Sequence, residues 1–247
     1  MKSIFLLLIV FYSNASCFCQ TVGEFSARAV KKRDLKDYQG AIAAYDSALV
    51  ISPDNPLIYA ERGRVKERLK DYQGAIEDYN TSIISNPNDS MSVIIYNMRG
   101  NVKSYLKNYQ GAMEDYNQAI MISPKSYDLY QQRGWTKTDL LDYRGAIQDF
   151  NKAIIYCPNN PDSLDKATLA FAYSGRGFAK SELKNYKEAI IDYNKAILLN
   201  PKDALIFFCR GLAKIAIKLK DSGCLDLSKA GELGYKDAYE EIKNSCN

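Results

Sequence analysis

The side chains best placed to do chemistry in this chain are cations set at a fixed interval. Arg28, Arg62, Arg99, Arg133, Arg176 and Arg210 are each followed four residues later by Lys32, Lys66, Lys103, Lys137, Lys180 and Lys214. On a helix, that spacing puts each pair on one face, one above the other. Two such cations can grip a phosphate or a carboxylate, and twelve of them invite an anion-binding reading. Carboxylates keep the same step, however: Asp78, Asp115, Asp149, Asp192 and Asp226 recur at one matching place. A ladder that carries its own counter-charges in unit after unit is what a stacking interface requires. Internal ion pairing is therefore favoured over an external anion site.

Little else in the composition points to catalysis. The chain has no histidine, which removes the commonest general base and zinc ligand and excludes triads built on an imidazole. Carboxylate or lysine chemistry stays open in principle. No nucleophile and base stand at an interpretable spacing, though, and no residual domain is left to house a site. No catalytic residue, cofactor site or metal site is assigned, and the chain reads as no enzyme. The net charge is only +4, of which Lys2 supplies one unit, so electrostatics give no case for a nucleic-acid partner.

The elements that carry these side chains are repeated. Asp37-Tyr-Gln-Gly-Ala41, Asp71-Tyr-Gln-Gly-Ala75, Asn108-Tyr-Gln-Gly-Ala112, Asp142-Tyr-Arg-Gly-Ala146 and Asn185-Tyr-Lys-Glu-Ala189 are five copies of one phrase. Their alanines are 34, 37, 34 and 43 residues apart, which puts insertions at turns near Asn88 to Ser92 and Asn159 to Thr168. Units framed from Val22, Pro56, Val93, Tyr127, Ala170 and Ala204 align in every other column. The fourth place is aromatic from Phe25 to Phe207, and the eighth is small, with Ala29, Gly63, Gly100, Gly134, Gly177 and Gly211. The twenty-fourth is Tyr45, Tyr79, Tyr116, Phe150, Tyr193 and Leu227, and proline closes five units. Apolar places recur three or four apart, the helical period, and the Asp or Asn before each second helix can cap it. Thirteen of the nineteen tyrosines fall in three repeat columns, which makes them packing residues and not a stacking platform.

These columns resemble the tetratricopeptide repeat (TPR) family over Val22 to about Gly234. The resemblance implies an all-α fold: a right-handed α-solenoid of about six helical hairpins over residues 20–234, with a short capping helix over 235–247. Arginine and lysine replace the leucine and tyrosine usual on the family's first helix. The resemblance further implies that first helices line a concave groove for a protein or peptide ligand. Read at the groove places, the early units offer Val30, Arg33, Arg64, Glu67 and Arg68, the third Asn97, Asn101 and Tyr105, and the fourth Gln131 and Trp135. The fifth offers Phe171 and Phe178 and the sixth Leu205, while Phe208, Leu212 and Ile215 of the sixth are expected to pack on the terminal helix. Trp135, the single tryptophan, is the expected exposed anchor. The lysine and asparagine clamp that some members use on a peptide carboxylate is not reproduced. The expected function is a scaffold for protein interaction. A structural subunit of an envelope assembly, using its convex face or edge, is the alternative. Oligomeric state is not indicated.

Residues 1–19 read as an export signal, with Lys2 ahead of a short apolar run from Ile4 to Tyr12 and small residues before Gln20. Cleavage after Cys19 and release to the periplasm or beyond is the favoured outcome; lipidation of Cys17 is the first alternative, weakened by Asn14 at a place that usually holds an aliphatic residue, and an uncleaved anchor is the second. In an oxidising compartment a disulfide can persist. Cys224 lies ten residues before Gly234 and Cys246 eleven after Tyr235, so an antiparallel hairpin turning there brings both sulfurs to one end. A Cys224–Cys246 bond is expected, against two separate reduced thiols, with no bond between Cys157 and Cys209.

Overall fold

The computed structural model describes residues 21–85, 87, 89–158 and 163–246, which are helical apart from short turns. Residues 1–20, with the export segment and Cys17, lie outside the described part. Helix α1 covers 21–34. It is followed by α2 (Tyr38–Ile51), α3 (Pro56–Arg68), α4 (Tyr72–Ser85), α5 (Ser90–Tyr105), α6 (Tyr109–Ile122) and α7 (Tyr127–Asp139). Next come α8 (Tyr143–Tyr156), α9 (Ser163–Glu182), α10 (Tyr186–Leu199), α11 (Ala204–Ala216), α12 (Lys220–Glu232) and α13 (Asp237–Ser245). They form two compact units, one ending at Leu106 and the other beginning at Lys107. No described helix is long and apolar enough to cross a membrane.

Local chemistry sets the helix boundaries. Asp37, Asp71, Asn108 and Asp142 each accept a hydrogen bond of 2.9 to 3.1 Å from the amide three residues on, at Gly40, Gly74, Gly111 and Gly145. The capping side chain folds back over that glycine, and a Cβ there would come within 3.0 Å of it. At the fifth copy Glu188 replaces the glycine, and Asn185 makes no such bond. Just before each cap the chain turns through a left-handed residue, Lys36, Lys70, Lys107, Leu141, Lys184 or Lys218, with φ of 61 to 67°. Pro53, Pro87, Pro124, Pro158 and Pro201, each two residues beyond the end of a second helix, have no amide with which to continue it.

The two insertions lengthen helices. Helix α5 starts at Ser90 because Asp89 caps it by accepting from the Ser92 amide at 2.7 Å, and α9 starts at Ser163. The added residues therefore extend the first helix of the pair where a longer turn was expected.

In the first unit Ala29, Ala41, Tyr45, Ala48 and Val65 form the core around α1 to α3. In the second, Tyr130, Phe150 and Ala179 centre one cluster, and Tyr193, Ile206 and Ala213 another. The small eighth place is explained by contact: a Cβ on Gly63, Gly134 or Gly177 would lie 2.8 to 2.9 Å from the ring of Tyr79, Phe150 or Tyr193. Phe208 packs on Tyr235, just before α13, with ring centroids 4.7 Å apart, while Ile215 lies against Gly223 of α12 and α13 itself packs on α12.

The cation ladder is internal in four repeats. Arg62, Arg133, Arg176 and Arg210 each grip a buried carboxylate, Asp78, Asp149, Asp192 or Asp226, through Nε and Nη2 at 2.5 to 2.9 Å. Lys66, Lys137, Lys180 and Lys214 close on the same carboxylates at 2.6 to 2.9 Å. The free Nη1 of each arginine reaches back to Asp46, Asn117, Asn151 or Asn194 on the preceding second helix, at 2.5 to 2.6 Å. Each guanidinium also lies 5.3 to 5.4 Å from the aromatic ring three residues earlier. One side chain thus ties the two helices of a pair together and ties the pair to its predecessor.

Candidate groove surfaces

The groove residues inferred from the sequence fall into two groups. In the first unit Arg64 and Arg68 of α3 and Asn101 of α5 line a concavity of about 640 Å³. Arg33 anchors one wall, donating from Nη1 to Glu61 at 2.8 Å, and Arg64 donates to the other oxygen of the same carboxylate at 2.8 Å. Arg68 is exposed and makes no hydrogen bond or close ion pair among the described residues. Tyr72 and Tyr105 line the same concavity, their rings tilted on each other with centroids 4.7 Å apart. The sequence reading missed Tyr72, because it stands in a column whose other members read as packing. Only its neighbour on another helix, Tyr105, marks it as groove-facing.

The electrostatics of this wall are mixed. Burial raises the Glu67 carboxyl above the usual carboxylate range, partly offset by a 2.6 Å hydrogen bond donated by the Tyr79 hydroxyl. Burial, reinforced by that carboxylate, pushes the Tyr79 phenol well up, so it stays a donor. Asn97, the remaining first-unit candidate, is half-buried, and its Oδ1 has no partner among the described residues.

In the second unit the structure brings Trp135, Phe171 and Phe178 together. The indole lies edge-on to Phe150 at 5.5 Å, tilted on Phe171 at 4.9 Å and near Phe178 at 6.5 Å. Trp135 is therefore half-buried packing between α7, α8 and α9, where an exposed anchor was expected. Its Nε1 and the Oε1 of Gln131, one turn earlier on α7 and 6% exposed, are both buried without partners among the described residues. Phe171, 47% exposed, is the aromatic that this cluster presents outward. The reason is geometric: a large residue at the ninth place of one first helix meets the first helix of the next pair.

With the repeats, the caps and the groove walls in place, the family is decided by direct matches. Tetratricopeptide repeat models match residues 93–126 and 170–203, and a TPR repeat model matches 31–70. The chain belongs to the tetratricopeptide repeat family. Its fold is the all-α TPR solenoid class. PilF of Pseudomonas aeruginosa has the same fold at 14% identity, with a TM-score of 0.69 over 91% of this chain and 99% of PilF. MamA matches at 22% identity and a TM-score of 0.64, over 75% of this chain and 94% of MamA. YrrB, a TPR protein with an unusual peptide-binding site, matches at 16% identity and a TM-score of 0.62, over 81% and 98%. No curated protein sequence matches the chain.

Proposed function

We propose that this TPR protein is an exported, non-enzymatic scaffold that holds a peptide or small domain against its first helices. The observation that carries this reading is the pairing of Arg68, accessible and without a close partner, with the Tyr72–Tyr105 wall of the same concavity. Side chains held ready by their neighbours but not consumed by them are what recognition uses. Phe171 and the aromatics behind it offer an apolar foothold in the second unit. The peptide-binding site of YrrB, on the same fold, is in keeping with this use. Export rests on residues 1–19, with release after Cys19 favoured over lipidation of Cys17. A Cys224–Cys246 disulfide belongs to the same reading: it suits an oxidising compartment, and the two Cα atoms lie 5.9 Å apart, within disulfide reach.

One observation favours a second reading. In the second unit the twenty-ninth place of three successive repeats is Met121, Ile155 or Leu198, each apolar and 73 to 84% exposed on a second helix. Such a row would serve a subunit built into an envelope assembly through its outer face. Crosslinking in the native host followed by mass spectrometry separates the two. Loss of crosslinked partners on Arg68→Ala with Phe171→Ala supports the groove. Partners that survive this change but vanish on Ile155→Lys with Leu198→Lys support the outer face. Intact mass tests export: a mature chain beginning at Gln20 supports release, one beginning at a lipidated Cys17 supports the anchor, and retained Met1 refutes processing.

A further inference from the structure

The ion-pair module is incomplete in the first repeat, formed by α1 and α2. Arg28, Lys32 and the ring of Phe25 occupy the same places as Arg133, Lys137 and Tyr130, but Ala44 stands where the carboxylate Asp149 should be. Among the described residues nothing refills the space. Phe25, Arg28, Lys32, Gly40, Ala43 and Ala44 line a small cavity of about 120 Å³ between α1 and α2. Arg28 is exposed and has no hydrogen bond or ion pair among the described residues. Lys32, without its usual partner, turns aside to the capping carboxylate of Asp37 at 3.0 Å. The acceptor on a preceding second helix, which the other arginines reach with Nη1, has no counterpart among the described residues.

We propose that this cavity is a carboxylate-binding slot that takes an aspartate or glutamate side chain from a partner protein segment. The ligand class is fixed by the molecule itself, since four equivalent sites hold an aspartate with one arginine and one lysine. The carboxylate comes from outside this chain's leader, because residues 1–20 contain no acidic side chain. Two cations in a space of this size suit one carboxylate and not a row of phosphates. A partner helix laid beside α1 would supply the acid and also the amide or carboxylate that Nη1 seeks, repeating the join that the chain makes between its own pairs.

The test uses the mature full chain and two probes, sodium acetate and a capped helical peptide with a single aspartate, set against the same peptide with asparagine. On titration, the Arg28 Nε–Hε resonance should shift and saturate with acetate and, at lower concentration, with the aspartate peptide. The asparagine peptide should bind at least about tenfold more weakly, as expected for loss of a charge-assisted pair. Ala44→Asp should fill the slot from within, raise the melting temperature above that of Ala44→Asn, and abolish the response to both probes. An Arg28 resonance indifferent to acetate and peptide, or an Ala44→Asp variant no more stable than Ala44→Asn, overturns the slot. An aspartate peptide that binds no better than acetate overturns its assignment to a protein side chain. None of these outcomes touches Arg68 or Phe171, so the groove reading stands or falls separately.

Discussion

Replacing Asp149 by alanine probes the module that joins the repeats. The carboxylate is 2% exposed and accepts from Arg133 Nε at 2.9 Å, Arg133 Nη2 at 2.7 Å and Lys137 Nζ at 2.7 Å. Its removal leaves two cations facing each other in a site from which most water is excluded. Breaking a buried pair by deleting one partner costs about 3 to 5 kcal/mol. The lower end applies here, near 3 kcal/mol by the same rule, because the Arg133 and Lys137 side chains keep 15% and 16% of their surface and can turn toward solvent. For a chain of this size that is a fall of about 6 to 12 °C in melting temperature. Thermal unfolding followed by circular dichroism measures it, and hydrogen exchange should show the loss concentrated in α7 and α8, since stability in repeat arrays is largely local. Asp46→Ala is the control: this partner of Arg62 is 53% exposed, and exposed pairs contribute about 0 to 1 kcal/mol. Replacing all three charges together, with Arg133→Met, Lys137→Met and Asp149→Leu, should recover most of the loss, because the penalty lies in stranded charge. A shift below about 2 °C for Asp149→Ala, no larger than the control's, would refute the reasoning.

The remaining predictions draw on packing, backbone and cysteine geometry. Trp135→Ala empties a site against Phe150, Phe171 and Phe178 and should cost about 3 kcal/mol or more, whereas Phe171→Ala should cost under about half of that and weaken partner capture; equal losses in chemical denaturation would sink the distinction. Lys70→Gly relieves a left-handed backbone at φ 63° and should leave stability unchanged or raise it by up to about 1 kcal/mol, whereas Lys70→Val should lower it. If the Cys224–Cys246 bond forms, reduction should destabilise the C-terminal hairpin by about 3 kcal/mol for a separation of 22 residues, and complete alkylation of both thiols without reductant would exclude the bond. Burial pushes the Cys209 thiol up to about 11, so it should resist iodoacetamide at pH 8 until the chain is unfolded; rapid native labelling would show that α11 opens locally.

The sequence by itself determined the helical period, the pairing of helices and the capping residues, because those depend on side chains a few positions apart. It also determined the internal role of the arginine–lysine ladder, since the matching aspartates recur in step with it. Tertiary structure alone decided what each groove residue has to share. Trp135 looked like a lone aromatic on a first helix, but its environment is set by Phe150 on α8 and Phe171 on α9, fifteen and thirty-six residues away. Tyr72 looked like packing, and only its contact with Tyr105 of another helix marks it as lining the concavity. The vacancy beside Ala44 was present in the sequence as one missing aspartate. Its meaning required the geometry of the four filled copies, because a column of letters records which residue is absent and not whether the space it leaves stays open.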